Sequence, residues 1–188
     1  MEQIELLRFS LDALDRLQIP YALVGSFASG IWGEPRMTLD IDFVVQLRAL
    51  HIPALLEAFP EDDFYLSRAA MEQATADEGQ FNVIHPRSGH KIDFMVLSSS
   101  AETPPQIARR IQIELAPDCP AYVAAPDDVI IAKLRYYLDG GSDKHLRDIA
   151  GIVKRSPELI DMAYVTNWAR ANDAVAVWTD IIKTTSPK

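Results

Sequence analysis

The sequence predicts an α+β protein, with short strands and helices mixed over residues 1–125 and a helical region over residues 126–188 packed on that core. Three observations carry this prediction. Short apolar runs of strand length, bounded by Gly, Pro and Ser, crowd the first part of the chain. Two of them, residues 80–85 and 91–97, flank Pro86-Arg87-Ser88-Gly89 and form the pattern of an antiparallel hairpin. From Pro126 onward the spacing is helical, broken only at Gly140-Gly141 and Ser156-Pro157.

Taken in order, Ile4, Leu7, Leu11, Leu14 and Leu17 recur at helical spacing and predict an amphipathic helix over residues 3–17, ending before Ile19-Pro20. Residues 21–24 read as a short buried strand, followed by Gly25-Ser26, a short helix over 27–32 and the turn Gly33-Glu34-Pro35. A second strand covers residues 39–46, and a helix over 50–59 stops at Pro60. The acidic group Glu61-Asp62-Asp63 is a solvated loop, and residues 64–79 show no clear period and receive no assignment. After Ser98-Ser99-Ser100 a helix near 104–109 and strands at 111–115 and 121–124 complete the first part. Four helices follow, over 127–138, 143–154, 159–171 and 173–184.

Composition narrows the function classes. With 188 residues and 48% hydrophobic content the chain can bury a sizeable core. A single cysteine, Cys119, rules out an internal disulfide framework, and with neither a leader nor a membrane-length apolar run the expectation is a cytoplasmic protein. The net charge of -9 argues against a broad nucleic-acid surface. That charge is uneven: residues 1–85 hold 5 Lys/Arg against 14 Asp/Glu, and residues 86–188 hold 13 of each. The second half therefore supplies Lys91, Arg109, Arg110, Lys133, Lys144 and Arg147 as candidate phosphate partners.

Asp40 and Asp42 lie two apart in the apolar run Leu39–Val45, so a strand would present both carboxylates on one face. Asp93 sits in a similar run where Ile92, Phe94 and Val96 alternate with Lys91, Asp93 and Met95, which places it opposite the apolar face. If the three meet, each pair of like charges about 5 Å apart repels by roughly 3 kcal/mol at an effective dielectric of 20. A divalent cation or a protonated carboxylate relieves this. A wet edge strand accounts for the Asp40/Asp42 pair taken alone. Gly25-Ser26, at a strand end before a helix, is a candidate phosphate cradle, because glycine admits close approach and helix-terminal amides favour anions. On the helix from Asp127, Ile130, Leu134 and Leu138 form the expected buried stripe with Lys133 on its flank. Lys144 and Asp148 stand four apart on the next helix, with Ser142 as its N-cap. The four histidines and Cys119 show no zinc spacing, no serine lies in a Gly-x-Ser-x-Gly elbow, and Trp168 and Trp178 are expected in the core.

The segment YALVGSFASGIWGEPRMTLDIDFVV resembles the signature of nucleotidyltransferases with the DNA polymerase β-like fold: a hydrophobic residue, Gly, Gly or Ser, a spacer, then Asp-hydrophobic-Asp/Glu-hydrophobic. Thirteen residues separate Ser26 from Asp40. HKIDFMV resembles the strand bearing a third carboxylate, and PDDVIIAKLRYYLDGGSDKHLRDIAGIVKR is similar to the helical part of minimal nucleotidyltransferases of the abortive-infection toxin (AbiEii-like) type. The likeness covers about residues 20–155. It implies a mixed-sheet nucleotidyltransferase core flanked by helices, in which Asp40 and Asp42 ligate two Mg²⁺ ions, with Mn²⁺ as substitute. Asp93 would complete one metal site and help deprotonate the attacking hydroxyl. Gly25 and Ser26 would hold the triphosphate, and Lys133 would contact nucleotide phosphates; apart from the resemblance, Arg36 and Lys133 are basic residues that would neutralise phosphate charge. The toxin-type motif Arg-x-Lys-Asp-x-x-Asp falls here on Ser142, Lys144, His145 and Asp148, so two of its four positions depart.

The expectation is a Mg²⁺-dependent transferase that moves a nucleoside monophosphate from an NTP to a hydroxyl of RNA, protein or a small molecule, as the toxin of a toxin and antitoxin pair in the case the AbiEii likeness implies. Its partners would be the NTP, an acceptor and a small antitoxin. For a tRNA end, Arg109, Arg110, Lys154 and Arg155 are the compact basic candidates. The alternatives are a catalytically inactive nucleotide-binding or partner-binding module of the same fold, and a two-metal phosphodiesterase, which leaves Gly25-Ser26 without a role.

Overall fold

A computed structural model describes residues 1–97 and 103–185, so Ser98-Ser99-Ser100 lies outside the described residues. In chain order the elements are α1 (Gln3–Arg16), β1 (Tyr21–Leu23), α2 (Gly25–Trp32), β2 (Asp40–Val45), α3 (Ile52–Ala58), β3 (Tyr65–Leu66), α4 (Arg68–Asp77), β4 (Gln80–His85), β5 (His90–Val96), α5 (Pro105–Ala108), β6 (Ile111–Ala116), β7 (Cys119–Val123), α6 (Pro126–Gly140), α7 (Asp143–Arg155), α8 (Met162–Ala171) and α9 (Val175–Thr185). Short 3-10 turns precede α3 and α8. The chain divides into two compact units: residues 1–24 with 38–123, and residues 25–37 with 124–185 of the described chain. Among the described residues, no helix is long and apolar enough to cross a membrane.

The first unit contains a seven-stranded mixed sheet in the order β3-β4-β5-β2-β1-β7-β6. Strands β2 and β5 run parallel over six residue pairs, from Asp40 opposite Lys91 to Val45 opposite Val96. Strand β4 pairs antiparallel with β5, and β1 pairs antiparallel with β2 and parallel with β7. Alternation then sorts the side chains. Ile41, Phe43, Val45, Ile92, Phe94, Val96, Phe81 and Val83 are buried, while Asp40, Asp42, Lys91, Asp93 and Asn82 share the other face. Across the buried face Phe81 stacks on Phe94 at 5.0 Å and Phe94 on Phe43 at 5.6 Å, and Tyr21 meets Phe43 edge-on at 5.7 Å. Cross-strand aromatic contacts of this kind stabilise one register over its neighbours, because a slip of one residue would turn the ring row to the opposite face.

Helix α1 buries Leu6, Leu7, Leu11 and Leu14, but Ile4 is exposed, so the apolar stripe begins one turn later than expected. Residues 64–79, unassigned from sequence, hold β3 and α4; Ser67 caps α4 by accepting from the Ala70 amide at 3.3 Å. Only Met71 and Ala74 of α4 are buried, which is why its helical period is faint.

In the second unit α2 associates with α6 and α7. The Trp32 indole donates to the Ala124 carbonyl at 2.8 Å, and the Ser156 hydroxyl donates to the Trp32 carbonyl at 2.6 Å. Gly33 follows so closely against α7 that an added Cβ would lie 2.8 Å from the Ile152 nitrogen and 2.9 Å from the Gly151 carbonyl carbon. Helix α6 runs to Gly140 and ends at Gly141, whose φ of 65° suits a left-handed cap. Its burial corrects the expected stripe: Ile130 and Leu134 are fully buried, but Leu138 is exposed and Lys133, placed on the flank from sequence, is only 4% exposed. The helix expected from residue 159 begins at Met162, after Asp161 caps it by accepting from the Tyr164 amide at 2.9 Å. Trp178 is fully buried as expected, and its indole donates to Thr166 Oγ1 at 3.0 Å, whereas Trp168 is only half-buried.

Two substitutions test these contacts by urea denaturation. Phe94→Ala should destabilise by about 3–5 kcal/mol, the range for a large buried aromatic. Gly33→Ala should cost about 1–3 kcal/mol, since the clash is with backbone that cannot rotate away.

Candidate active site

The candidate residues fall into two clusters, one in each unit. In the first unit, the parallel register sets Asp40 opposite Lys91 and Asp42 opposite Asp93, so four side chains form a square on one sheet face. Three are acidic and one is basic. The Lys91 ammonium bonds Asp93 Oδ2 at 2.8 Å and lies 3.8 Å from Asp40 Oδ1. Its hydrogen bond to Asp93, more than the nearby charges of Asp40 and Asp42, raises the Lys91 pKa above the ordinary lysine value. Sequence placed Lys91 among the phosphate partners; the structure places it against the acids instead. The position is part-exposed, with 35% of the Lys91 side chain open, so the pairs contribute little to folding.

Among the described residues, no group of three or more His, Cys, Asp or Glu side chains is gathered tightly enough to hold a metal ion. The residue types on this face are those a hard divalent cation takes, three carboxylates with two of them in direct register, and the Lys91 ammonium now lies against two of the three.

In the second unit, Gly25 opens α2 with a φ of 65°, and the first amides of that helix have no partner within the helix. Ser26 Oγ accepts from Arg36 Nη2 at 2.6 Å. Arg36 also grips Asp148 with two bonds, Nε to Oδ1 at 2.9 Å and Nη2 to Oδ2 at 3.1 Å. Lys133 Nζ donates to the same Oδ2 at 2.8 Å. Ser26, Arg36, Asp148 and Lys133 are thus one hydrogen-bonded chain of two cations, one carboxylate and a hydroxyl. Burial alone would raise the Asp148 pKa, but the bonds from Arg36 and Lys133 outweigh it and hold the carboxyl below its ordinary value of 3.8. Lys144, expected beside Asp148, is exposed, and both carboxylate oxygens are taken by Arg36 and Lys133. Ser142 is the N-cap residue of α7, yet its side chain makes no capping bond.

His145 stands where the toxin-type motif has an acid. Its ring stacks on Tyr136 at 5.7 Å, and burial, followed by the Lys133 and Lys144 charges, lowers its pKa below the usual histidine value. The pairing of Arg36 with Asp148 spans 112 residues of sequence, and nothing in residue spacing signals it.

Breaking this chain should be costly, because a buried ion pair that loses one partner leaves a desolvated charge. Asp148→Ala should destabilise by about 3–5 kcal/mol in urea. The folded protein favours the charged carboxylate, so Asp148 contributes fully above the ordinary value of 3.8 and loses that contribution as the pH falls through its lower folded value. Asp148→Asn should therefore flatten the acid limb of stability against pH below about pH 4.

Comparison with protein-family models gives no match, and comparison with curated proteins gives none. Solved structures do match. The antibiotic-resistance factor ANT(2'')-Ia aligns with a TM-score of 0.63 at 14% identity, over 95% of this chain and 95% of that one. An antigenic nucleotidyltransferase-like protein from Paracoccidioides brasiliensis aligns with a TM-score of 0.61 at 21% identity, over 97% and 88%. The lincosamide antibiotic adenylyltransferase LnuA, lincomycin-bound, aligns with a TM-score of 0.57 at 12% identity, over 83% and 99%. At these identities the likeness is one of fold: the chain has the α+β architecture of nucleotidyltransferases, a mixed seven-stranded sheet with the C-terminal helices α6–α9.

Proposed function

We propose that this chain is a Mg²⁺-dependent nucleotidyltransferase that moves a nucleoside monophosphate from an NTP to an acceptor hydroxyl. The observation that supports this most directly is the carboxylate face of β2 and β5, where Asp42 and Asp93 are in register and Asp40 adjoins them. Divalent ions bound there would lower the pKa of the attacking hydroxyl and screen the charge of the departing pyrophosphate. The protein's own groups have separate tasks. Asp40 and Asp42 would hold the ions, and Asp93 would complete one site and accept the acceptor proton. The acceptor oxygen forms a bond to the α-phosphorus as the bond to pyrophosphate breaks. In the second unit Gly25 and Ser26 receive the triphosphate, Arg36 and Lys133 neutralise it, and Lys144 adds a surface charge for it. Asp148 is a positioning residue that holds the Arg36 and Lys133 cations in place.

For the acceptor we favour a small cationic molecule carrying hydroxyl groups. The net charge of -9, with the acid excess in residues 1–85, opposes a polyanion such as tRNA and attracts a cation. One solved structure of ANT(2'')-Ia is a complex with adenylyl-2''-tobramycin, and LnuA is lincomycin-bound. A toxin role with an antitoxin partner is the alternative the AbiEii-like motif suggests; His145 in place of its acid weighs against it. A binding module without turnover is favoured by one observation, the ion pairing of Lys91 to Asp93.

The protein, mixed with each labelled NTP, Mg²⁺ or Mn²⁺ and pools of aminoglycosides, RNA or protein, should release pyrophosphate and label one pool. Asp42→Asn should lower transfer at least about 100-fold, as expected when a carboxylate of the reacting centre is neutralised. No pyrophosphate release with any NTP and pool would overturn the proposal. NTP binding that persists by calorimetry without Mg²⁺, and equally in Asp42→Asn, would favour the binding module.

A further inference from the structure

The square on β2 and β5 is partly neutralised from within. Asp40, Asp42 and Asp93 supply three negative charges, and Lys91, directly opposite Asp40 in the parallel register, supplies one positive charge. Its ammonium occupies the space between the acids on its own strand and on the next, 2.8 Å from Asp93 and 3.8 Å from Asp40. The two residues before and after it differ in this respect: His90 and Ile92 lie on the opposite face by alternation, so Lys91 alone on β5 can present a cation to Asp93. An ion that binds Asp93 must share its carboxylate with the Lys91 ammonium or displace it.

We propose that Lys91 is a tethered counter-cation that competes with a divalent ion for Asp93 and Asp40 and thereby sets how weakly the metal-free protein takes up that ion. The inference rests on the nucleotidyl-transfer reading of the carboxylates and goes beyond it in making a lysine, rather than a fourth ligand, the residue that tunes the site. With Lys91 in place the square carries a net charge of two negatives, which one divalent ion balances. Without Lys91 the three carboxylates lose the ammonium that now lies against Asp93 and Asp40. Removing a unit charge about 6 Å from a divalent ion, in a solvent-like dielectric, corresponds to about a tenfold change in affinity.

Manganese alone is the probe. Free Mn²⁺ is followed by electron paramagnetic resonance during titration of the wild-type chain, Lys91→Gln, Lys91→Arg and Asp42→Asn, with no nucleotide present. Lys91→Gln should bind Mn²⁺ about tenfold more tightly than wild type, Lys91→Arg should stay close to wild type, and Asp42→Asn should bind more weakly. In EDTA, Lys91→Gln should melt close to wild type, and Mn²⁺ should raise its melting temperature by more than it raises that of wild type. Equal Mn²⁺ affinity in wild type and Lys91→Gln, with Asp42→Asn weakened, overturns the role of Lys91 and leaves the carboxylate site standing. No uptake of Mn²⁺ by any of the four proteins overturns both.

Discussion

The row of rings on the buried sheet face, Phe81 on Phe94 on Phe43 with Tyr21 against the last, is the constraint from which the carboxylate face follows. Strands β4, β5 and β2 are not hairpin neighbours throughout; β5 and β2 are parallel and separated by more than forty residues of chain, so no turn sets their offset. Their register must come from side chains. Aromatic packing on one face selects the offset, and the same offset sets Asp42 beside Asp93 and Asp40 beside Lys91 on the other. An apolar contact thereby determines a polar geometry it never touches.

A second regularity links the two units without reference to their arrangement. Each polar cluster contains a residue of the sign opposite to its majority. Among the acids of the first unit it is Lys91, and among the bases of the second it is Asp148. The physical reasons differ. Asp148 and Lys133 are nearly inaccessible, where an unpaired ion is strongly disfavoured, so the carboxylate is needed for folding. Lys91 is part-exposed, where water would tolerate the acids, so its value lies in what it does to the charge of the face and not in stability.

Much of the fold was legible because apolar period and breaking residues agree: the hairpin around Pro86-Arg87-Ser88-Gly89, the strands at Tyr21 and Asp40, and the helical run after Pro126 all appear near their expected places. The shared face of Asp40 and Asp42 follows from strand alternation alone. What escaped depends on distant packing. Residues 64–79 bury too little for a period to show, and Lys133 is buried with Asp148 as its partner, which its position on the flank of the α6 stripe cannot reveal. The grip of Arg36 on Asp148 joins a turn near the start of the chain to a helix near its end, and Lys144, four residues from Asp148, was the nearer and wrong partner. Strand alternation already put Lys91 on the face of Asp93, but its place opposite Asp40 depends on the parallel register of β2 and β5, which the sequence does not state.

The Ser156 bond to the Trp32 carbonyl spans 124 residues. On a ribosome adding roughly 5–20 residues each second, α2 and Gly33 emerge about 6–25 s before the helix surface that receives them exists. Segment 25–37 is therefore made well before α7, the helix that supplies its Ser156 and Gly33 contacts. The order in which the chain is made thus sets the Arg36 bond to Asp148 after the release of α7, although Arg36 itself is made 112 residues earlier.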